Sequence, residues 1–456
     1  MYLRKTLLQC SALALSLVAA NVMAAVSAED AAKLGTSLTP LGGEKAANAD
    51  GSIPAWTGGL AKDAAPVDAK GFLGDPFASE KPLFVITAQN VEQYKDKLSE
   101  GEVAMFKRYP DTYKMPVYAS HRTAAVPEEV AAAAKTSALK TSLASDGVGL
   151  DNFPTHVYPF PLPTKGVEVI WNHMARYRSP STMRVNVQTP VQTNGTFTPV
   201  VIDELVAYPS SLPDLPADKA ANMLLMGKQT VTAPARMAGT VVLLHDTIDP
   251  GKGPRKAWVY NAGQRRVRAA PQVAYDGPGT AADGLRTSDN TDMFNGSPDR
   301  YDWKLVGKKE LYIPYNNYRL ASPQLKYSDI IQPGHINPDY TRYELHRVWE
   351  VEATLKSGER NIYAKRRFFI DEDSWQIAIS ELYDGRGQLW RVGQNMLMQQ
   401  YQAQVPWTAM ESLNDLIAGR YITSMMANEQ SHPSKFGVKV ASTDFTPAAL
   451  RNAGVR

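Results

Sequence analysis

In Tyr343-Glu344-Leu345-His346-Arg347-Val348-Trp349-Glu350-Val351-Glu352-Ala353-Thr354-Leu355, large apolar residues alternate with charged ones. Trp349, Val351, Ala353 and Leu355 fall on one side of an extended chain, and Val348, Glu350, Glu352 and Thr354 on the other. That pattern predicts a long strand with one apolar and one water-facing side. Ser357-Gly358 follows it, and Asn261-Ala262-Gly263, Asp371-Glu372-Asp373 and Asp384-Gly385-Arg386-Gly387 carry the same hairpin chemistry elsewhere.

Working outward, strands are expected at 182–189, 196–208, 236–248, 255–260, 265–269, 303–313, 343–355, 361–370, 375–383, 389–402 and 418–426. Successive strands should be antiparallel neighbours in one large meander. A sheet of about ten strands tends to curl, which encloses an apolar concave face. Helices are expected at 87–108 and 128–143. A third is expected where Val167, Ile170, Trp171, Met174 and Arg178 recur at helical spacing.

The expected fold class is therefore α+β: a large curved antiparallel β-sheet, a half-barrel, wrapped over a few helices, with an irregular N-terminal arm. Residues 25–86, rich in Gly, Ala, Pro and Asp, read as that arm. The expected division is 25–150 for the arm and helical region, 151–430 for the curved-sheet domain and 431–456 for a C-terminal tail.

Residues 1–24 read as a secretory signal peptide. Arg4 and Lys5 precede an apolar run from Leu7 to Ala20, and Val22-Met23-Ala24 offers small residues before a cut after Ala24. The run is shorter than the ~20 residues of a membrane span, so a periplasmic protein that is not membrane-spanning is expected. Cleavage removes Cys10, the single cysteine, and with it any disulfide. The 456-residue chain has 49 Lys+Arg against 46 Asp+Glu. Such a balanced charge argues against nucleic acid as a partner.

Signatures of catalysis are sparse. Ser137-Ala138-Leu139-Lys140 matches S-x-x-K and Ser288-Asp289-Asn290 matches S-D-N, but the K-T-G element that should follow them is missing. No two histidines have the i, i+4 spacing of a helical zinc site. Asp289, Asp292, Asn295, Gly296 and Asp299 miss the calcium-loop register, because Met293 would fall on a ligand position. No catalytic residue, metal ligand or cofactor is expected, and an envelope hydrolase using Ser137 or His173 remains an alternative. The basic clusters Arg265, Arg266, Arg268 and Lys365, Arg366, Arg367 read as a charged outer face or edge protection, or as docking points for an acidic partner or anionic lipid. Trp303, Tyr312, Tyr315 and Tyr318 beside Asn316 and Asn317 read as packing, with a sugar platform as the other reading.

Several stretches together resemble a known family. They are Tyr158-Pro159-Phe160-Pro161-Leu162-Pro163, Trp171-Asn172-His173-Met174-Ala175-Arg176-Tyr177-Arg178, Arg265 to Pro271, Ala274-Tyr275-Asp276, Asp283 to Thr287, Phe294 to Tyr301 and Lys304 to Glu310. The chain resembles domain-of-unknown-function family 1329, whose members are similar to the periplasmic outer-membrane lipoprotein-sorting carriers and receptors of the Lol type. The resemblance implies a curved sheet over helices with a cavity for acyl chains, an inner-membrane exporter and an outer-membrane barrel protein as partners, and no catalytic residues.

The function expected is a periplasmic carrier or receptor for a hydrophobic lipid-like ligand, whether lipid, acyl chain or lipoprotein. The alternative is a non-catalytic scaffold of an envelope transport complex, its arm clasping a partner. Trp258, Tyr260, Trp349, Val351, Trp390, Met396 and Met398 are the expected cavity lining, being large or flexible apolar side chains on alternating strands.

Overall fold

A computed structural model describes residues 26–454, so the signal-peptide reading lies outside the described residues. The long strands are β1 (Ser181–Val191), β2 (Val200–Ala207), β3 (Met223–Ala233), β4 (Val241–Thr247), β5 (Lys256–Asn261), β6 (Arg266–Ala269), β7 (Tyr301–Pro314), β8 (Tyr343–Leu355), β9 (Lys365–Asp371), β10 (Ile377–Tyr383), β11 (Leu389–Gln400), β12 (Val405–Asp415) and β13 (Arg420–Met426). They form one open sheet in the order β7 to β13, then β1 to β6. Every neighbouring pair in that order is antiparallel. Phe84–Ile86, Met115–Val117 and Lys435–Phe436 bring the sheet to 16 strands. The expected meander is there, in two runs joined at a seam where β13 pairs β1, Thr423 opposite Thr189.

Of the long strands, two, β3 and β12, fall outside the expected set. β3 opens with Met223-Leu224-Leu225-Met226 and carries Gly227, so it lacks both alternation and β-branched residues at its start. β12 contains Pro406 and is buried along its whole length, which removes the polar half of the pattern.

The longer helices are α1 (Glu100–Arg108), α2 (Glu128–Lys140), α3 (Gly166–Met174) and α4 (Pro447–Gly454). The first starts later than expected because Ser99, not Thr87, caps it. The Ser99 hydroxyl accepts from the Glu102 N–H at 3.1 Å, and the Ser99 N–H donates to the Glu102 carboxylate at 2.9 Å. Residues 91–93 and 95–97 form separate 3-10 turns instead. Glu102 is fully buried, and burial, with Glu381 adding repulsion, pushes its carboxyl up to about 8. The folded protein thus holds a proton that the unfolded chain releases near pH 4.5, and stability should fall as pH rises from there to about 8. Glu102→Gln keeps an acceptor for Ser99 and removes the charge. It is expected to flatten that limb and to add roughly 2–4 kcal/mol at pH 9, read by urea unfolding across pH 5 to 9.

Helix α3 explains the curl. Its Val167, Ile170, Trp171 and Met174 share one apolar cluster with Val351, Ala353 and Phe368 of β8 and β9 and with Leu224 and Leu225 of β3. In a flat sheet β8 and β3 would stand roughly 38 Å apart at ~4.8 Å per strand, yet one helix ~10 Å across serves both. The sheet must wrap around α3, whose side is called the inner face below.

The outer face is covered rather than wet. Val348 and Glu350, expected to face water, are buried, and only Glu352 and Thr354 open toward solvent. Val348 packs with Leu311, Phe369 and Ile379, α1 lies over Val392, and Phe445 with Leu450 of α4 covers β3 to β5. The arm also folds back on its own body. Trp56 donates to the Ala124 carbonyl, the Trp375 indole to Leu41, and the Tyr401 hydroxyl to Ala65 and Gly74.

Candidate functional site

On β1 to β5 the inner face is not filled by α3, and a cavity of about 520 Å³ opens there. The sheet contributes Val206 from β2, Leu225 and Gly227 from β3, Val242 and Leu244 from β4 and Val259 from β5, with Trp407 from β12. The facing wall is the segment 270–295, through Ala270, Val273, Gly277 to Thr280, Thr291 and Asn295. A hollow of about 640 Å³ between the arm and residues 318–342 is larger, but about half of its surface is polar. The 520 Å³ cavity exposes mostly apolar surface, with charged and polar side chains set among it.

Four arginines, Lys228 and two carboxylates stand on the cavity wall, and Lys228 donates to the Asp444 carbonyl at 3.2 Å. Arg184 pairs with Glu204, which also accepts from Asn186 and Gln229, and its guanidinium lies 5.6 Å from the Trp407 ring. Arg255 pairs with Asp246 at 2.6 Å and donates to the Asn295 amide oxygen. Arg178 donates to Asp292 at 2.5 Å and to the Tyr208 hydroxyl at 2.9 Å. Arg286 donates to Thr291 at 2.6 Å and to Gln188 at 2.9 Å.

The acidic turn at 289–299 holds the facing wall in place. Asp289 meets Arg366 at 2.5 Å, and Asp292 meets Arg176 and Arg178, both at 2.5 Å. Asp299 accepts from the Tyr275 hydroxyl. The cations paired with Asp289 and Asp292 are arginine side chains. Arg366 is correspondingly 0 % exposed, so the second basic cluster is not wholly a charged outer face, whereas Arg265, Arg266 and Arg268 are exposed on and beside the edge strand β6.

Residues 85–451 match the family model described as "Protein of unknown function (DUF1329)". The chain belongs to this family. It is also 61% identical over 452 residues to Uncharacterized protein PA3922 of Pseudomonas aeruginosa, covering 99% of each chain. Among solved structures it is similar to a putative outer membrane lipoprotein-sorting protein domain from Vibrio parahaemolyticus, at 13% identity and a TM-score of 0.43, over 63% of this chain and 98% of that one. A DUF1329 family protein from Desulfovibrio piger is similar at 14% identity and a TM-score of 0.41, over 60% of this chain and 92% of that one.

In this DUF1329 chain, the stretch Trp171 to Arg178 acts as a buried connector. Asn172 clasps both the N–H and the carbonyl of Phe160. His173 accepts from the Ile377 N–H at Nδ1 and stands 2.8 Å from the Asp292 carbonyl at Nε2, which assigns the proton to Nε2. Burial, with Arg176 adding to it, pushes the imidazole down to about 3, so it is neutral. Ser137 bonds Thr155 and Ser288 bonds the Pro278 carbonyl, so neither hydroxyl is bonded to a histidine or lysine among the described residues.

The DUF1329 chain has one set of metal-ligand type among the described residues, His346, Asp371 and Asp373, with ligand atoms within 4.8 Å. Arg122 already donates to both oxygens of Asp373, at 2.6 and 2.7 Å. Tyr315 stacks on His346, and Asn316 and Tyr318 are buried beside them, so these aromatics pack and do not form an exposed sugar platform.

None of the seven residues expected to line the cavity is on its wall. Trp258 and Tyr260 do share a face, but it is the outer one under α4, and the intervening Val259 points inward. Trp349 and Val351 are on the inner face, where α3 fills the space. Trp390 packs with Tyr363 and Leu285 and donates to Asp415. Met396 and Met398 pack in a cluster that the arm helps to cover, Met398 directly opposite the wall residue Trp407. Alternation groups side chains by face without saying which face is inward. The actual wall, with Val242 and Leu244 two residues apart on β4 and Val206 on β2 across the intervening β3, carried the same signal at smaller side chains.

Proposed function

We propose that this protein is a periplasmic carrier or receptor for a hydrophobic, lipid-like ligand, whose apolar part is buried in the inner-face cavity. The observation that carries this reading is an apolar-walled cavity of about 520 Å³ inside a curled sheet. Each methylene moved out of water gains about 0.8 kcal/mol, so a ten-carbon chain gains ~8 kcal/mol before ordering costs. That range gives reversible binding, as loading and release require. The signal-peptide reading supports the compartment, and an exporter and an outer-membrane barrel protein are the proposed donor and acceptor. An arm that packs on its own sheet is less free to clasp a partner, which favours the carrier over the scaffold.

Gly227 offers the test. It lies opposite Val206 and Leu244 on the sheet, and a Cβ there would be 4.0 Å from its nearest neighbours, an ordinary contact. Gly227→Phe is expected to occupy the cavity and to weaken binding of a fluorescent fatty-acyl probe at least tenfold, with folding stability changed by less than about 1 kcal/mol. Unaltered probe binding by a folded variant would remove the cavity from the proposal. Absence of both copurified lipid and probe binding in the unmodified protein would count against the carrier itself.

A further inference from the structure

Arg286 stands apart from the other cavity arginines. Arg178, Arg184 and Arg255 each meet a carboxylate, whereas among the described residues Arg286 has neutral partners only, the Thr291 hydroxyl and the Gln188 amide oxygen. The residue is 9% exposed and its Nε–H is buried without an acceptor. A guanidinium carries five N–H donors, so two bonds leave most of its capacity unused. Buried charges without a counter-charge are costly. Burial also lowers the proton affinity of Arg286, against the distant attraction of Glu411 and Glu204. Glu411 does not supply the missing charge in full, because its own burial and Asp292 push it up to about 7.

The remaining wall places this donor beside apolar surface. Resting on the carrier reading, we infer that the cavity takes an amphiphile with an anionic head, a carboxylate such as that of a fatty acid, and that Arg286 receives the head while the apolar wall takes the chain. A planar guanidinium matches a carboxylate with paired N–H bonds, and charge-assisted bonds of this kind are the strong ones. Glu204 and Asp292, each already paired with an arginine, do not compete for Arg286 at short range.

The experiment compares dodecanoate, dodecanol and acetate as competitors of a neutral apolar fluorophore bound to the full chain. The unmodified protein should bind dodecanoate at least tenfold more tightly than dodecanol, and acetate should not compete at the same concentration. Arg286→Met should bring the dodecanoate-to-dodecanol ratio to about one, while Arg268→Met, on the exposed edge strand, should leave it at the unmodified value. Equal binding of acid and alcohol by the unmodified protein overturns the inference and leaves the carrier reading standing, and requires no folded variant. Competition by acetate as strong as that by dodecanoate overturns the amphiphile in favour of a free carboxylate site. Displacement by none of the three, with no fluorophore bound, overturns the carrier reading and this one with it.

Discussion

Replacing Asp292 by alanine is expected to destabilise the protein by roughly 3–5 kcal/mol, measured by urea unfolding. Asp292 is the shared counter-charge of Arg176, which is buried, and Arg178, which is mostly buried at the cavity wall. Removing it leaves two like charges side by side without compensation. Burial works against the Asp292 charge, but Arg176 and Arg178 outweigh it and hold the carboxyl well below the usual range. A depressed carboxyl contributes stability that is complete above its unfolded value, about pH 4, and is lost only as the pH falls through the folded one. The difference between Asp292→Ala and the unmodified protein should therefore be the same at pH 8 and pH 9, above the range in which Glu411 loses its proton, and shrink in strong acid. The segment 270–295 should loosen as well, with faster amide exchange there than in β8 to β11. A difference below 1 kcal/mol at pH 7 would mean that the two arginines find another counter-charge.

The second large effect is expected at Trp171. Trp171→Ala should lose about 3–5 kcal/mol of stability, because the indole is 1% exposed within the cluster that both wings of the sheet share. Its Nε1–H also donates to the Val148 carbonyl at 2.7 Å, an acceptor left unpaired in the variant. Trp171→Phe should recover most of the loss, and Leu139→Ala on the exposed side of α2 should stay within about 0.5 kcal/mol. Loss of less than 1 kcal/mol at Trp171 would contradict the view that α3 is the plug around which the sheet curls.

The fold was legible where one residue type follows another at a fixed period. β8 alternates, α3 repeats its apolar residues at helical spacing, and the turns at 357–358 and 384–387 contain Gly358 and Gly387 with positive φ. It was illegible where burial on both faces erased the period, as in β12, or where Met and Gly diluted it, as in β3. The site was harder to read for a different reason. Its wall is built from Val206, Leu225, Val242, Leu244 and Val259, which no local rule separates from ordinary core. The polar frame left a trace in Asp289, Asp292 and Asn295, but their partners Arg366, Arg176 and Arg255 lie on distant segments and only folding brings them together.

The seam between β13 and β1 has a consequence for how the chain reaches this state. Hairpins within β1 to β6 and within β7 to β13 join residues close in sequence, so each wing can assemble by short-range closure. Setting Thr189 beside Thr423 instead requires nearly the whole sheet to be present first, and such distant pairings form slowly. The two wings therefore behave as halves of a clasp, and the sheet that curls around α3 becomes continuous only when the last strand of one half meets the first of the other.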